Sequence, residues 1–132
     1  MKRRAFLGLS SAATLLPATA FAEGFIDYTP GAIQSALAAG ETVFVDYSAV
    51  WCSTCHVQER VINGLRDQNP AYDQAMTFIK VDWDNFGRHD VTTSRRIPRR
   101  STLIVLRGDE ELGRIIAGTA ESQIQALMDR GL

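Results

Sequence analysis

The sequence predicts an α/β domain in which a central mixed β-sheet is flanked by helices on both faces. Short β-branched and aromatic runs at residues 42–47, 76–81 and 102–106 alternate with stretches of helical spacing, the pattern of strands connected through helices. A further run at 112–117 follows across Gly108-Asp109-Glu110 and reads as the hairpin partner of 102–106. The chain has 132 residues, 45% apolar and 22% charged, which suits one globular domain and excludes disorder as a description of the whole. A net charge of −1 gives no electrostatic basis for binding nucleic acid. Two cysteines close together form a motif, not a disulfide framework.

Lys2, Arg3 and Arg4 form a positive start, and no charge follows until after Ala22. Leu7, Leu9, Leu15 and Leu16 make a mildly apolar stretch that Pro17 breaks, and Ala20-Phe21-Ala22 has the small-x-small pattern of a cleavage site. Residues 1–22 are therefore expected to be a cleavable signal peptide, cut before Glu23. Arg3-Arg4-Ala5-Phe6-Leu7 resembles the twin-arginine export signal, with a Sec signal as the alternative. Left uncleaved, the uncharged stretch would be a borderline membrane anchor. The folded domain is then residues 23–132, in the bacterial periplasm, an oxidising compartment where a cysteine pair can cycle.

Within that domain, Phe25-Ile26-Asp27-Tyr28 alternates as an edge strand does. Thr29-Pro30 reads as N-cap and first helical position, Ile33, Ala36 and Leu37 share a helix face, and Gly40 stops the helix. Residues 42–47 are nearly all apolar and suit a buried strand. After the cysteines, Val57, Val61, Ile62 and Leu65 have helical spacing, Asn69-Pro70 closes that helix, and residues 71–75 add one turn. A strand at 76–81 leads into a polar segment with a short helix expected at 91–95. The hairpin follows, and Thr119 is expected to cap a last helix with Glu121 in its first turn. Ile124, Leu127 and Met128 face inward, and Gly131 ends it. A β-α-β-α-β-α-β-β-α order packs best as a sheet between two helical layers.

The chemistry lies in Asp46-Tyr47-Ser48-Ala49-Val50-Trp51-Cys52-Ser53-Thr54-Cys55-His56, which puts both cysteines behind a buried strand at the start of a helix. A helix N-terminus offers partial positive charge and free N–H groups, both favouring thiolate over thiol. Cys52 is thus the expected nucleophile, exposed at the surface. Two intervening residues bring the more buried Cys55 back over the first turn, where it can attack a mixed disulfide and release the substrate.

On these residues the sequence resembles the thioredoxin superfamily, across nearly all of 23–132. The specific part is an apolar strand, then Asp46, then Trp51-Cys52-x-x-Cys55. The resemblance implies a thioredoxin-like three-layer sandwich. It also implies that Asp46 is buried beneath the disulfide and moves the proton of Cys55, with Lys80 as the lysine that neighbours this acid. The family places a cis-proline opposite the disulfide. Here either Pro98 fills that role, with a longer lead into the strand, or Ser101 sits at the usual place. Ile97-Pro98 matches the family's usual dipeptide, so Ile97 and Pro98, with Trp51, are the expected substrate-binding residues. Ser53-Thr54 is not the Gly-Pro of cytosolic thioredoxins, so the redox potential does not carry over. Arg95, Arg96, Arg99 and Arg100 crowd Pro98, either as a solvated loop or as charges that tune the Cys52 thiolate and attract an acidic partner. His56 is a further tuning candidate.

Cys52-Ser53-Thr54-Cys55-His56 also spells a c-type haem attachment sequence, with His56 as proximal ligand and Met76 or Met128 as the distal candidates. Against this electron-transfer alternative stands the α/β order, since small c-type cytochromes are mostly helical. Intact Cys52, Cys55, Asp46 and Trp51 argue against a non-catalytic binding module. A zinc site would have only His56 and His89 to join the cysteines. The expectation is a periplasmic thiol–disulfide oxidoreductase that reduces protein disulfides through Cys52 and Cys55, with an oxidase or isomerase of the same fold as the alternative. It needs no metal or organic cofactor. Its expected partners are a disulfide-containing protein substrate and a membrane electron-donor protein, and a monomer is expected.

Overall fold

A computed structural model describes residues 24–132; the expected signal peptide lies outside the described residues. The elements are β1 (Ile26–Asp27), α1 (Ala32–Ala38), β2 (Thr42–Ser48), α2 (Ser53–Gln68), α3 (Ala71–Ala75), β3 (Met76–Asp82), α4 (Trp83–Phe86), α5 (Asp90–Thr93), β4 (Thr102–Arg107), β5 (Glu110–Ile116) and α6 (Glu121–Asp129). The sheet order is β1-β3-β2-β4-β5. β1, β3 and β2 run parallel, β4 is antiparallel to β2, and β5 is antiparallel to β4, so the sheet is mixed as expected.

β2 is central and buried along its whole length. Alternate side chains of a strand face opposite layers, and β2 splits the core accordingly. Phe44 joins Ile62, Leu65, Phe78, Leu103, Ile124 and Met128 beneath α2, α3 and α6. Val43, Val45 and Tyr47 join Ile33, Ile79, Val81, Ile97 and Ile104 beneath α1 and the segment after β3. Asp46 shares the parity of Phe44, so it points toward α2.

Several boundaries differ from the sequence expectation for local reasons. Helix α1 starts at Ala32, not Pro30. Ala32 N–H donates to Thr29 C=O, and Gly31 has φ +87°, so Thr29-Pro30-Gly31-Ala32 is a type II turn, which favours proline and then glycine at its centre. At the far end Gly40, φ +83°, closes a Schellman motif: Gly40 N–H donates to Leu37 C=O and Glu41 N–H to Ala36 C=O. The polar segment holds two one-turn helices. Asp82 caps α4 through its carboxylate, which accepts from Asn85 N–H, and Thr92 Oγ1 donates to Phe86 C=O. β5 begins at Glu110, two residues before expectation, because the turn is only Gly108-Asp109. Gly108 has φ +59° at its first central position, the type II′ pattern. The cap of α6 is Ala120, not Thr119, and no side chain bonds there.

Candidate active site

The loop after β2 delivers Cys52 and Cys55 to the N-terminus of α2, where they form a disulfide. Cys52 is the N-cap. Its Sγ accepts from Cys55 N–H at 3.2 Å, one of the free N–H groups of the first turn. Cys55 is fully buried, and Cys52 is also nearly covered at 4% exposure, against the expectation of an exposed nucleophile. Ala49 and Trp83 pack against the cysteine pair, and Ser101 closes the remaining side. The exposed neighbours are Trp51 and Val50, which leave an apolar rim at the disulfide. Trp51 Nε1 donates to both carboxylate oxygens of Asp84 at 3.1 Å, and the Arg100 guanidinium lies 4.5 Å from its ring centroid.

Asp46 lies opposite Lys80 on β3 and Leu103 on β4. It is fully buried, and neither carboxylate oxygen has a hydrogen-bond partner. Burial pushes its carboxyl up from 3.8 to about 7, the Lys80 ammonium opposes this, and the Glu59 carboxylate adds to it. Lys80 Nζ is paired with Glu59 Oε1 at 2.8 Å, so much of its charge is already engaged. Lys80 and Glu59, with His56 and Ser48, line a cleft of about 440 Å³ on this side of the sheet, and Asp46 itself does not reach it.

The wall opposite the disulfide is Ser101. Its Oγ is 3.2 Å from Cys52 Sγ and 3.1 Å from Cys55 Sγ. Ser101, and not the expected Pro98, holds this place: no cis peptide occurs among the described residues, and Pro98 is exposed. Ile97, expected at the substrate surface, is buried in the core under β2 and β4. Arg99 and Arg100 fill the interval between Pro98 and the wall, so the dipeptide ends too early to face the sulfurs. Arg99 Nε donates to Arg100 C=O. Arg95 and Arg96 turn their carbonyls to the Arg114 guanidinium.

Three functional neighbours escaped sequence reasoning. Glu59 follows Cys55 by one helical turn, a spacing that could have found it. Gln58 is fully buried and donates to the carbonyls of Ser101 and Gly118, tying the wall to the segment after β5. Asp84 reaches Trp51 from α4, a contact across 33 positions that no local pattern signals.

Fold and site together define a dithiol–disulfide protein: a redox pair at a helix N-terminus, with a buried acid on the strand that leads into it. The thioredoxin family model matches residues 26–130, and the chain belongs to that family. Thioredoxin-1 of Saccharomyces cerevisiae is 27% identical over 99 residues, 75% of this chain and 90% of the yeast protein. The thiol:disulfide interchange protein DsbD of Pseudomonas fluorescens is 27% identical over 101 residues, 76% of this chain but 17% of that protein. Among solved structures, Trxlp from Edwardsiella tarda is 31% identical, with a TM-score of 0.65 over 76% of this chain and 96% of that one. The chain is a thioredoxin-like disulfide oxidoreductase built on Cys52 and Cys55. The haem alternative falls with this assignment. Its distal candidates Met76 and Met128 are core residues beneath α2 and α6, whereas His56 is exposed.

Proposed function

We propose that the chain is an exported reductase of protein disulfides. The observation that carries this reading is Asp46, buried without a partner on the strand that leads to the cysteine pair, its carboxyl pushed up to about 7 by burial. Such a group can accept a proton from Cys55 and return it at the same pH. In the reducing direction, Cys52 thiolate attacks a substrate disulfide, forming a mixed disulfide and expelling one substrate thiolate. Cys55 gives its proton to Asp46 and attacks Cys52 Sγ. The second substrate sulfur leaves as thiolate, and the Cys52–Cys55 disulfide forms. Two electrons pass to the substrate, whose thiolates take up two protons. Trp51 and Val50 offer the apolar rim on which the substrate lies, with Arg99, Arg100 and Pro98 beside it.

Export is supported by the positive, apolar and small-x-small order of residues 1–22. A membrane electron donor would restore the dithiol, a reading supported by the likeness to part of a thiol:disulfide interchange protein. Residues 23–132 should be titrated against glutathione or dithiothreitol buffers, following tryptophan fluorescence. A potential near about −270 mV, where thioredoxin lies, is expected for a reductase. A potential near about −120 mV, where strong disulfide donors lie, would overturn it in favour of an oxidase or isomerase.

A further inference from the structure

The Ser101 side chain has no part in the exchange chemistry above, yet it is the only hydroxyl among the described residues that bonds either sulfur. It is fully buried. The sulfurs of a disulfide carry no hydrogen, so the hydroxyl is the donor in both contacts, and it has one proton to give. Its backbone is fixed from three sides: Ser101 N–H donates to Tyr47 C=O at 2.7 Å, and its C=O accepts from Ala117 N–H at 2.9 Å and Gln58 Nε2 at 3.0 Å. The residue is held at φ +65°, a left-handed conformation that costs a side-chain-bearing residue energy. All three backbone bonds would be available to glycine without that cost. The side chain's contribution therefore lies with the sulfurs.

We propose that Ser101 is a catalytic residue of disulfide exchange, its hydroxyl donating to whichever cysteine sulfur carries the negative charge. In the dithiol form that sulfur is Cys52 Sγ, which also accepts from Cys55 N–H. When Cys55 loses its proton to Asp46, the hydroxyl turns to Cys55 Sγ. One proton shared between two acceptors serves one thiolate at a time, in the order the reaction makes them. The hydroxyl keeps its proton throughout and is neither oxidised nor reduced. A charged acceptor gains more from it than a neutral disulfide sulfur does, so Ser101 favours the reduced form. The proposal rests on the Cys52/Cys55 redox reading.

Ser101→Ala and Ser101→Gly remove the hydroxyl, and glycine also relieves the left-handed backbone; Ser101→Thr keeps the hydroxyl. The readout is the thiolate ultraviolet absorbance of each reduced protein against pH. The Cys52 midpoint is expected to rise by about one pH unit or more in the Ala and Gly variants, the value of a hydrogen bond to a charged group. The Thr variant is expected to stay near wild type, and the glutathione equilibrium of the Ala and Gly variants to shift several-fold toward disulfide. Natively folded Ala and Gly variants with an unmoved midpoint would overturn the proposal, even if their turnover fell. A wild-type protein that reduces insulin no better than Cys52→Ala would instead sink the redox reading itself, and the thiolate midpoint does not depend on that assay.

Discussion

Replacing Asp46 by asparagine should change how stability depends on pH more than it changes stability at any one pH. In the folded protein the carboxyl holds its proton up to about 7, whereas an unfolded carboxyl releases it near 3.8. Between those values the folded state binds more protons than the unfolded state, so stability falls as pH rises. The stabilisation is complete below about 3.8 and is lost by the time pH passes about 7. A shift from 3.8 to about 7 corresponds to about 4 kcal/mol at 1.36 kcal/mol per unit. That is a large share of a small domain's net stability. The assay is guanidinium unfolding of the oxidised protein from about pH 3 to about pH 8.5, a span that takes in both values. In the oxidised protein neither cysteine titrates. Carboxylates away from the site contribute equally to both proteins, so the difference between wild type and Asp46→Asn reports Asp46 together with its coupling to Glu59 and Lys80. Asparagine should gain on wild type by about 4 kcal/mol across the range. A difference that stays constant with pH would refute the reasoning, whatever its size.

Three further outcomes follow from the site. Glu59→Gln removes a negative neighbour and frees Lys80 to face Asp46, so the Asp46 midpoint should fall by about one unit; carboxyl NMR titration of the oxidised protein reads it directly. Cys55→Ala should accumulate mixed disulfides with substrate and Cys52→Ala should form none, as non-reducing gels would show; activity in Cys52→Ala equal to wild type would contradict the order of attack. Tyr47→Phe removes the bond from the Tyr47 hydroxyl to Val91 C=O at 2.6 Å, and should cost about 1–2 kcal/mol in denaturant unfolding while leaving the thiolate midpoint unchanged.

What the sequence revealed and what it hid divide along a physical line. Strands β2 and β4 were legible because burial on both faces demands nearly continuous apolar runs, and β3 because Phe78, Ile79 and Val81 keep its core positions apolar. The Cys52-x-x-Cys55 geometry was legible because four adjacent residues carry it. Asp46 is buried, as the resemblance implied, because the otherwise apolar strand that carries it is covered along its whole length. The wall facing the disulfide was not legible. Pro98 is the conspicuous residue, but the path from Pro98 to Ser101 depends on how Arg114 and Gln58 hold backbone carbonyls from distant elements. The same holds for the burial of Cys52, which Trp83 brings from a segment that shows no helical period. Local signals locate the reactive atoms, whereas tertiary contacts decide what covers them.

The disulfide from Cys52 to Cys55 forms a ring inside the first helical turn and links no distant parts of the chain. Folding and oxidation then close a four-cornered cycle, in which the two unfolding free energies must differ by as much as the two oxidation free energies do. In the unfolded chain the cysteine pair, open as dithiol or closed as disulfide, is indifferent to Ser101, Trp83 or Asp46. Whatever sets the potential of the native protein is therefore also what makes its two redox forms differ in resistance to denaturant. A pair of melting curves becomes an electrochemical measurement. A substitution that weakens both forms equally, however severely, leaves the potential where it was.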